Sequence, residues 1–367
     1  MKPLHVFGQL HTAQQSALLM LAATGASLLI ANVFPHLQLS RHLHDLGITG
    51  IIEDGLMPLF FLLMGLEIRE ELTHGSLSTR KKALLPVIAA IGGMVVPGCW
   101  FLVFNFGKLT WSGWGIPMAT DIAFALAIVA LLGHRAPREL RIFLTTLAVV
   151  DDLGAILLIA TFYSEHLHVE YLSGAAVMVL VLTGLRHKKI DHLVIYALGG
   201  VLLWLCILKS GIHATIAGVI VAFLLPGNQQ SWDQVKQWLH LPVNYIILPL
   251  FAFIATAINV NIQMMDGENL PIIFGVAGGL LIGKPLGIFG FTEVARRIGA
   301  GEISSNLNRA TLFGIGLTGG IGFTMSVFIA DRAYQDALMN GTAKLAILLA
   351  SLLASFAGLL YFRRLYR

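Results

Sequence analysis

A chain of 367 residues that is 56% hydrophobic and only 12% charged, with a mean hydropathy of +0.79, is not a soluble domain; in those, about a quarter of the residues carry charge. The apolar runs are long and continuous, so the expected spanning elements are helices and not the short alternating strands of a membrane barrel. The net charge of +4 comes from basic residues in the connections, where they serve topology, and gives no reason to expect nucleic acid as a partner.

In chain order, MKPLHVFGQLHTAQQ leads directly into a full-length apolar run and reads as a retained first helix. Breaks at charged and Pro/Gly-rich points predict about twelve transmembrane helices, at 13–34, 50–68, 83–104, 114–132, 142–163, 169–185, 192–208, 211–226, 241–260, 271–291, 311–330 and 341–361. The connections are short, which predicts an all-α integral membrane protein with one transmembrane domain over 1–367. Cys99 and Cys206 lie inside apolar runs and read as small core residues, not as disulfide or metal partners. If the N-terminus is cytoplasmic, 18 of the 24 Lys and Arg residues fall in cytoplasmic segments and 5 outside, with Lys284 left inside a span. That asymmetry supports the span count and places both termini in the cytoplasm.

Two spans look broken. The fourth contains GIPMATDIAFAL, with Thr120 and Asp121 at the interruption, and the eleventh contains GIGLTGGIGFTMS. Each is the middle of a three-helix unit, 83–163 and 271–361. Paired interruptions in two halves point to inverted repeats around a midplane binding site. No residue-level repeat is visible between the units.

Four ionisable residues lie deep in spans: Asp121, Asp151, Asp152 and Lys284. The adjacent aspartates sit in the middle of IFLTTLAVVDDLGAILLIATFY, long enough to cross a bilayer. Even on a lenient scale each acid there costs at least about 2.5 kcal/mol. Three carboxylates cannot all pair with one lysine, so at least one needs a proton or a cation. Side chains of helix neighbours point about 100° apart, so one aspartate can face a cation path while the other faces another helix. Burial and mutual repulsion act against a nearby ammonium in setting the charge of such a pair, and the two acids titrate as a unit. A carboxylate that holds H⁺ or a hard cation, but not both, makes an exchanger by competition, and Na⁺ and Li⁺ suit oxygen ligands.

Asp121 either caps a local helix or offsets the positive N-terminal ends of two half-helices. Lys284, in LLIGKPLGI, either offsets the C-terminal ends or pairs with an aspartate. Glu67, Arg69, Glu70 and Glu71 at the end of span two, with Asp54 near its start, read as a solvated helix end with local salt bridges. His213 and His240 carry the side chain suited to pH response, although a lone histidine more often marks a helix end.

The segments ATDIAFAL (119–126), VVDDLGAILLIA (149–160), KSGIHATIAGVI (209–220), ILPLFAF (247–253), LLIGKPLGI (280–288) and GIGFTMSVFIA (320–330) resemble, in order and on matching spans, those of NhaA-type sodium/proton antiporters. The resemblance runs from about residue 50 to the C-terminus. It implies an electrogenic antiporter of the bacterial inner membrane, surrounded by lipid, that exports Na⁺ or Li⁺ and imports more H⁺ than it exports cation. No cofactor and no enzymatic activity go with it. Asp152 matches the principal cation-binding aspartate; Asp151 matches its neighbour, which takes part in binding or pairs with the lysine matched by Lys284. Thr120 and Asp121 match the crossing of two broken helices at the midplane. Glu67, Glu71, His213 and His240 match positions associated with pH response at the cytoplasmic side, and alternating access would move one helical unit against the other.

Two departures stand out. The segment PHLQLSRHLHDLGI between spans one and two lacks the alternation of the dimer-forming β-hairpin that well-known members carry there, which leaves a homodimer without that contact. Lys236 occupies a position, four before His240, where the familiar pattern has an acid, and reversing that charge is expected to shift the pH profile.

Other classes fit less well. A proton-coupled symporter for an organic solute would need more polar groups near the aspartates than Thr145, Thr146 and Ser326. An intramembrane aspartyl protease would need acids on two helices with a Gly-x-Gly-Asp element, which does not occur. A channel would not need broken, paired spans with titratable acids.

Overall fold

The computed structural model describes residues 3–163, 167–300 and 307–367. Among these the regular structure is entirely helical, as a chain in hydrocarbon requires if each segment is to satisfy its own backbone. The helices are α1 (Pro3–Val33), α2 (Leu39–Asp45), α3 (Ile48–Thr73), α4 (Arg80–Asn105), a 3₁₀ segment (Leu109–Met118), α5 (Ile122–Ala130), α6 (Arg138–Phe162) and α7 (Val169–His187). They continue with α8 (Leu193–Ser210), α9 (Thr215–Leu224), α10 (Gln229–Ala255), α11 (Leu270–Arg297), α12 (Arg309–Gly319), α13 (Phe323–Ala333) and α14 (Ala337–Leu365).

Eight of these are long and apolar enough to cross a membrane, and three bent pairs raise the number to as many as eleven. Two of the pairs are the predicted broken spans: Leu109–Met118 with α5, bent by 41°, and α12 with α13, bent by 47°. The third, α2 and its neighbours with α3, turns by 57° at Leu46–Gly47, where Gly47 takes φ 70°. It was not visible as a break in the sequence. The segment between spans one and two is therefore helical and supplies no hairpin. The predicted span at 211–226 is helical only over the ten residues of α9, about 15 Å, and is too short to cross a roughly 30 Å core by itself. Its C-terminal carbonyls are capped by Arg69, which donates to the oxygens of Ala222 at 2.7 Å and Leu225 at 3.0 Å and lies over the Trp232 ring.

Proline shapes three spans in the same way. Pro58, Pro249 and Pro285 each follow a widened π turn, at Ile51–Leu56, Val243–Ile247 and Gly279–Gly283. Proline has no N–H to donate, and its ring crowds the carbonyl one turn back, so a wider turn relieves both defects. Pro86 and Pro97 sit in α4 without such a turn. The third π turn delivers Lys284 to the interior, and close backbone packing holds it there. A Cβ on Gly287 would come within 2.1 Å of the Gly92 oxygen, so α4 and α11 approach at a contact that only glycine permits.

Among the eight full-length spans, the helix carrying the aspartate pair is the most enclosed: 67% of the α6 span is buried in protein, against 11% for α7. Cys99 is exposed and Cys206 half-buried, so neither is the core residue the sequence suggested. An apolar run in a membrane protein faces lipid as readily as protein, and hydrophobicity alone does not say which.

Candidate functional site at two crossed helix breaks

The two interruptions meet. Asp121 N–H donates to Ile321 O at 2.7 Å, and Thr120 Oγ1 donates to Gly319 O at 3.0 Å. Breaking two helices leaves four ends whose unpaired peptide groups must find partners away from water. The N-terminal ends converge on one carboxylate. Asp121 Oδ1 accepts from Phe124 N at 3.1 Å, at the start of α5, and its Oδ2 accepts from the backbone N and hydroxyl of Thr324, at the start of α13. Asp121 thus caps α5 and also accepts from the first turn of α13, where helix N-terminal ends favour a carboxylate.

Lys284 reaches a helix-end carbonyl and an aspartate at once. Its ammonium donates to Met118 O, the last carbonyl of the 3₁₀ segment, and to Asp151 Oδ2 at 2.7 Å. The lysine is 0% exposed and Asp151 1%. Thr120 approaches Asp151 from the break. Ser326 Oγ and Ser351 Oγ complete the crossing, the first donating to Ile116 O at 2.8 Å and the second accepting from Phe323 N at 3.0 Å.

Asp152 points elsewhere on α6, with Asp151, Asp121, Lys284 and Glu67 as its charged neighbours. It is 2% exposed. Among the described residues, Oδ1 of Asp152 and Oδ1 of Asp151 are buried without a hydrogen-bond partner. A buried carboxylate oxygen without a donor costs several kcal/mol unless a proton or cation reaches it. Carboxylate oxygens are hard donors, the type that small alkali cations take. Among the described residues no group of three or more His, Cys, Asp or Glu side chains has the geometry of a metal site.

The proposed pH-response residues divide between two places. Glu71 Oε1 accepts from Thr146 Oγ1 and from Ser76 N, both at 2.8 Å, which ties the end of α3 to the helix bearing the aspartates. Lys236 pairs with Glu70, and Glu67 lies within electrostatic reach of both. His240 follows Lys236 one turn later on α10, close enough to feel its charge. His213 does not belong with them. Its Nε2 lies 2.9 Å from Tyr163 O, just past the C-terminus of α6. Thr146 and Tyr163 are 17 residues apart along that helix, about 25 Å, with the aspartates between. Arg69 corrects another reading: it is 4% exposed and caps α9, so it takes no part in a solvated salt-bridge cluster.

Thr324 and Met118 O take part in the crossing and were not singled out from the sequence. Thr324 had a signal: it follows the second break much as Thr120 and Asp121 lie at the first. Met118 contributes only backbone, which no side-chain pattern can reveal.

A helical bundle in which two broken spans cross beside a buried, incompletely partnered carboxylate pair has the architecture of a secondary transporter. More narrowly, the chain belongs to the family described as Na+/H+ antiporter 1, whose model matches residues 7–362. It is 44% identical over 362 residues to the Na(+)/H(+) antiporter NhaA of Cytophaga hutchinsonii, covering 96% of this chain and 94% of that one. Identity with the corresponding protein of Proteus mirabilis is 45% over 316 residues, 84% of this chain and 81% of the other. A sodium proton antiporter structure from Methanocaldococcus jannaschii, at 17% identity, superposes with a TM-score of 0.59 over 98% of this chain and 99% of its own, which shows a shared fold.

Proposed function

We propose that this protein exchanges Na⁺, and Li⁺ as a second substrate, for H⁺ across a bacterial inner membrane, with the Asp151–Asp152 pair as the carrier of both. The family membership supports the class of reaction, sodium/proton antiport. The observation that carries the site assignment is the pair of buried, unpartnered carboxylate oxygens beside the crossing. With a cation in place those oxygens are ligands; without one, protons neutralise them. Binding of one expels the other, which is the minimum an exchanger needs. A proton on each carboxylate of the pair takes the place of a single cation, so more positive charge enters as protons than leaves as cation and the exchange is electrogenic; Lys284 compensates Asp151 between the two loaded states.

The protein performs no covalent chemistry, and it acts as one transmembrane domain of two three-helix units, 83–163 and 271–361. Alternating access moves one helical unit against the other and exposes the aspartates to each side in turn. Both termini face the cytoplasm, on the side where basic residues accumulate. At that side Glu67, Glu71, Lys236 and His240 adjust the response to pH.

Proteoliposomes with an acidic interior and an internal pH dye test the activity. Na⁺ and Li⁺ added outside are expected to collapse the gradient and K⁺ to leave it intact, with faster collapse at alkaline pH. A gradient that survives Na⁺ and Li⁺ at every pH tested rules the exchange out.

A further inference from the structure

One cluster of charge lies away from the crossing and plays no part in the exchange chemistry. At the last turn of α13, the consecutive residues Asp331 and Arg332 form ion pairs in different directions. Arg332 Nη2 lies 2.8 Å from Glu53 Oε2 and 3.8 Å from Asp54 Oδ1, while Asp331 Oδ1 lies 2.5 Å from Lys344 Nζ. One grips the π turn that opens α3 and the other grips α14. These are not open surface contacts: the Arg332 and Glu53 side chains are 17% and 14% exposed. Screening is weaker for such pairs than for fully solvated ones, and breaking them costs more. The receiving end is itself braced, since Trp204 Nε1 donates to Asp54 O at 2.7 Å.

The other end of the same short helix is at the site. Thr324, which donates to Asp121, and Arg332 lie eight residues apart on one face of α13, about 12 Å along a rigid helix. A rotation or slide of α13 at its far end therefore displaces Thr324 at the crossing.

We propose that Glu53 and Arg332 are positioning residues for cation binding: their ion pair anchors the far end of α13 and so sets how Thr324 meets Asp121 beside the carboxylate pair. This rests on the reading of Asp151 and Asp152 as the cation site. Neither Glu53 nor Arg332 touches that site. Both act through the helix.

The test is initial exchange rate against Na⁺ concentration at fixed pH, with the full chain in proteoliposomes and rates normalised to reconstituted protein. Arg332→Gln and Glu53→Gln are expected to raise KM for Na⁺ about five- to tenfold while turnover stays within about twofold. A merely structural loss would instead lower the rate at every Na⁺ concentration. Arg332→Lys should keep KM near the starting value, and the exchanged pair Glu53→Arg/Arg332→Glu should lie closer to it than either glutamine variant. In a Thr324→Val background, Arg332→Gln should change KM less than about twofold, since the hydroxyl contact it positions is gone and only the backbone N–H still reaches Asp121. An unchanged KM in both glutamine variants overturns the proposal, and so does a full Arg332 effect without Thr324. If Arg332→Gln fails to fold, Glu53→Gln and Arg332→Lys decide the matter by the same criteria. Asp152→Asn, assayed alongside, separates the two readings: loss of exchange there with normal KM in the glutamine variants sinks only the positioning role, whereas retained exchange removes the site itself.

Discussion

Lys284 and Asp151 meet at 2.7 Å with both side chains enclosed, 0% and 1% exposed, whereas Lys236 and Glu70 meet at the end of α3 with 19% and 29% of their side chains exposed. The chemistry is the same, an ammonium against a carboxylate, but the surroundings are not. Around the first pair nothing screens the charges, and each partner also satisfies something else: Lys284 holds Met118 O, and Asp151 stands next to Asp152. Removing one member leaves an uncompensated charge with nowhere to go. Around the second pair, solvent can take over from either partner, so a change there alters the local potential without dismantling a structure. In the proposed exchange, the enclosed pair belongs to the carrier and the exposed pair modulates it.

The largest expected effect breaks the enclosed side of that comparison. Asp152→Asn should abolish Na⁺-dependent exchange while the protein stays folded in the membrane; normal exchange in that variant would remove the carboxylate pair as the carrier. Next is Lys284→Ala, which strands Asp151. Losing one member of a buried pair costs about 3–5 kcal/mol, so this variant should show the largest drop in melting temperature. The double change Lys284→Ala/Asp151→Asn should recover part of it, and a strictly additive loss would mean that the two do not act as a pair.

Asp121→Asn comes third. It keeps an acceptor for one helix end but removes the charge that faces two, worth about 1–2 kcal/mol in a partly buried geometry. Turnover should fall with a modest loss of stability, and turnover equal to that of the unmodified protein would deny Asp121 its compensating role. Smallest is Lys236→Glu, which places an acid beside Glu67 and Glu70. The midpoint of the activity–pH curve is expected to move by about half a pH unit, with maximal rate and stability little changed. A midpoint that stays where it was excludes Lys236 from pH response.

Much of this architecture is legible in the residues. The two broken spans announce themselves through TD beside Pro117 in one and a run of glycines in the other, because interruptions need residues that tolerate lost helical bonds. Asp151, Asp152 and Lys284 stand out because charge in an apolar run is costly. Other features are hidden for equally physical reasons. The bend at Leu46–Gly47 lies in a segment whose composition looks like an ordinary connection. Glu70 and Arg69 are neighbours in sequence with opposite fates, one pairing Lys236 and the other sealing the end of α9. His213 shares a family motif with the site, yet ends up beside Tyr163 at the other end of α6.

The sequence by itself determined that this chain spans a membrane by helices, that two spans are broken, and that three acids and one lysine must share the interior. Each follows from a cost that depends only on residue type in hydrocarbon. Which acid takes the lysine, which oxygens are left without a donor, and how the helix ends are satisfied were decided only by the tertiary structure. Most of these are contacts between segments more than a hundred residues apart, and local pattern carries no information about the angle at which two broken helices cross.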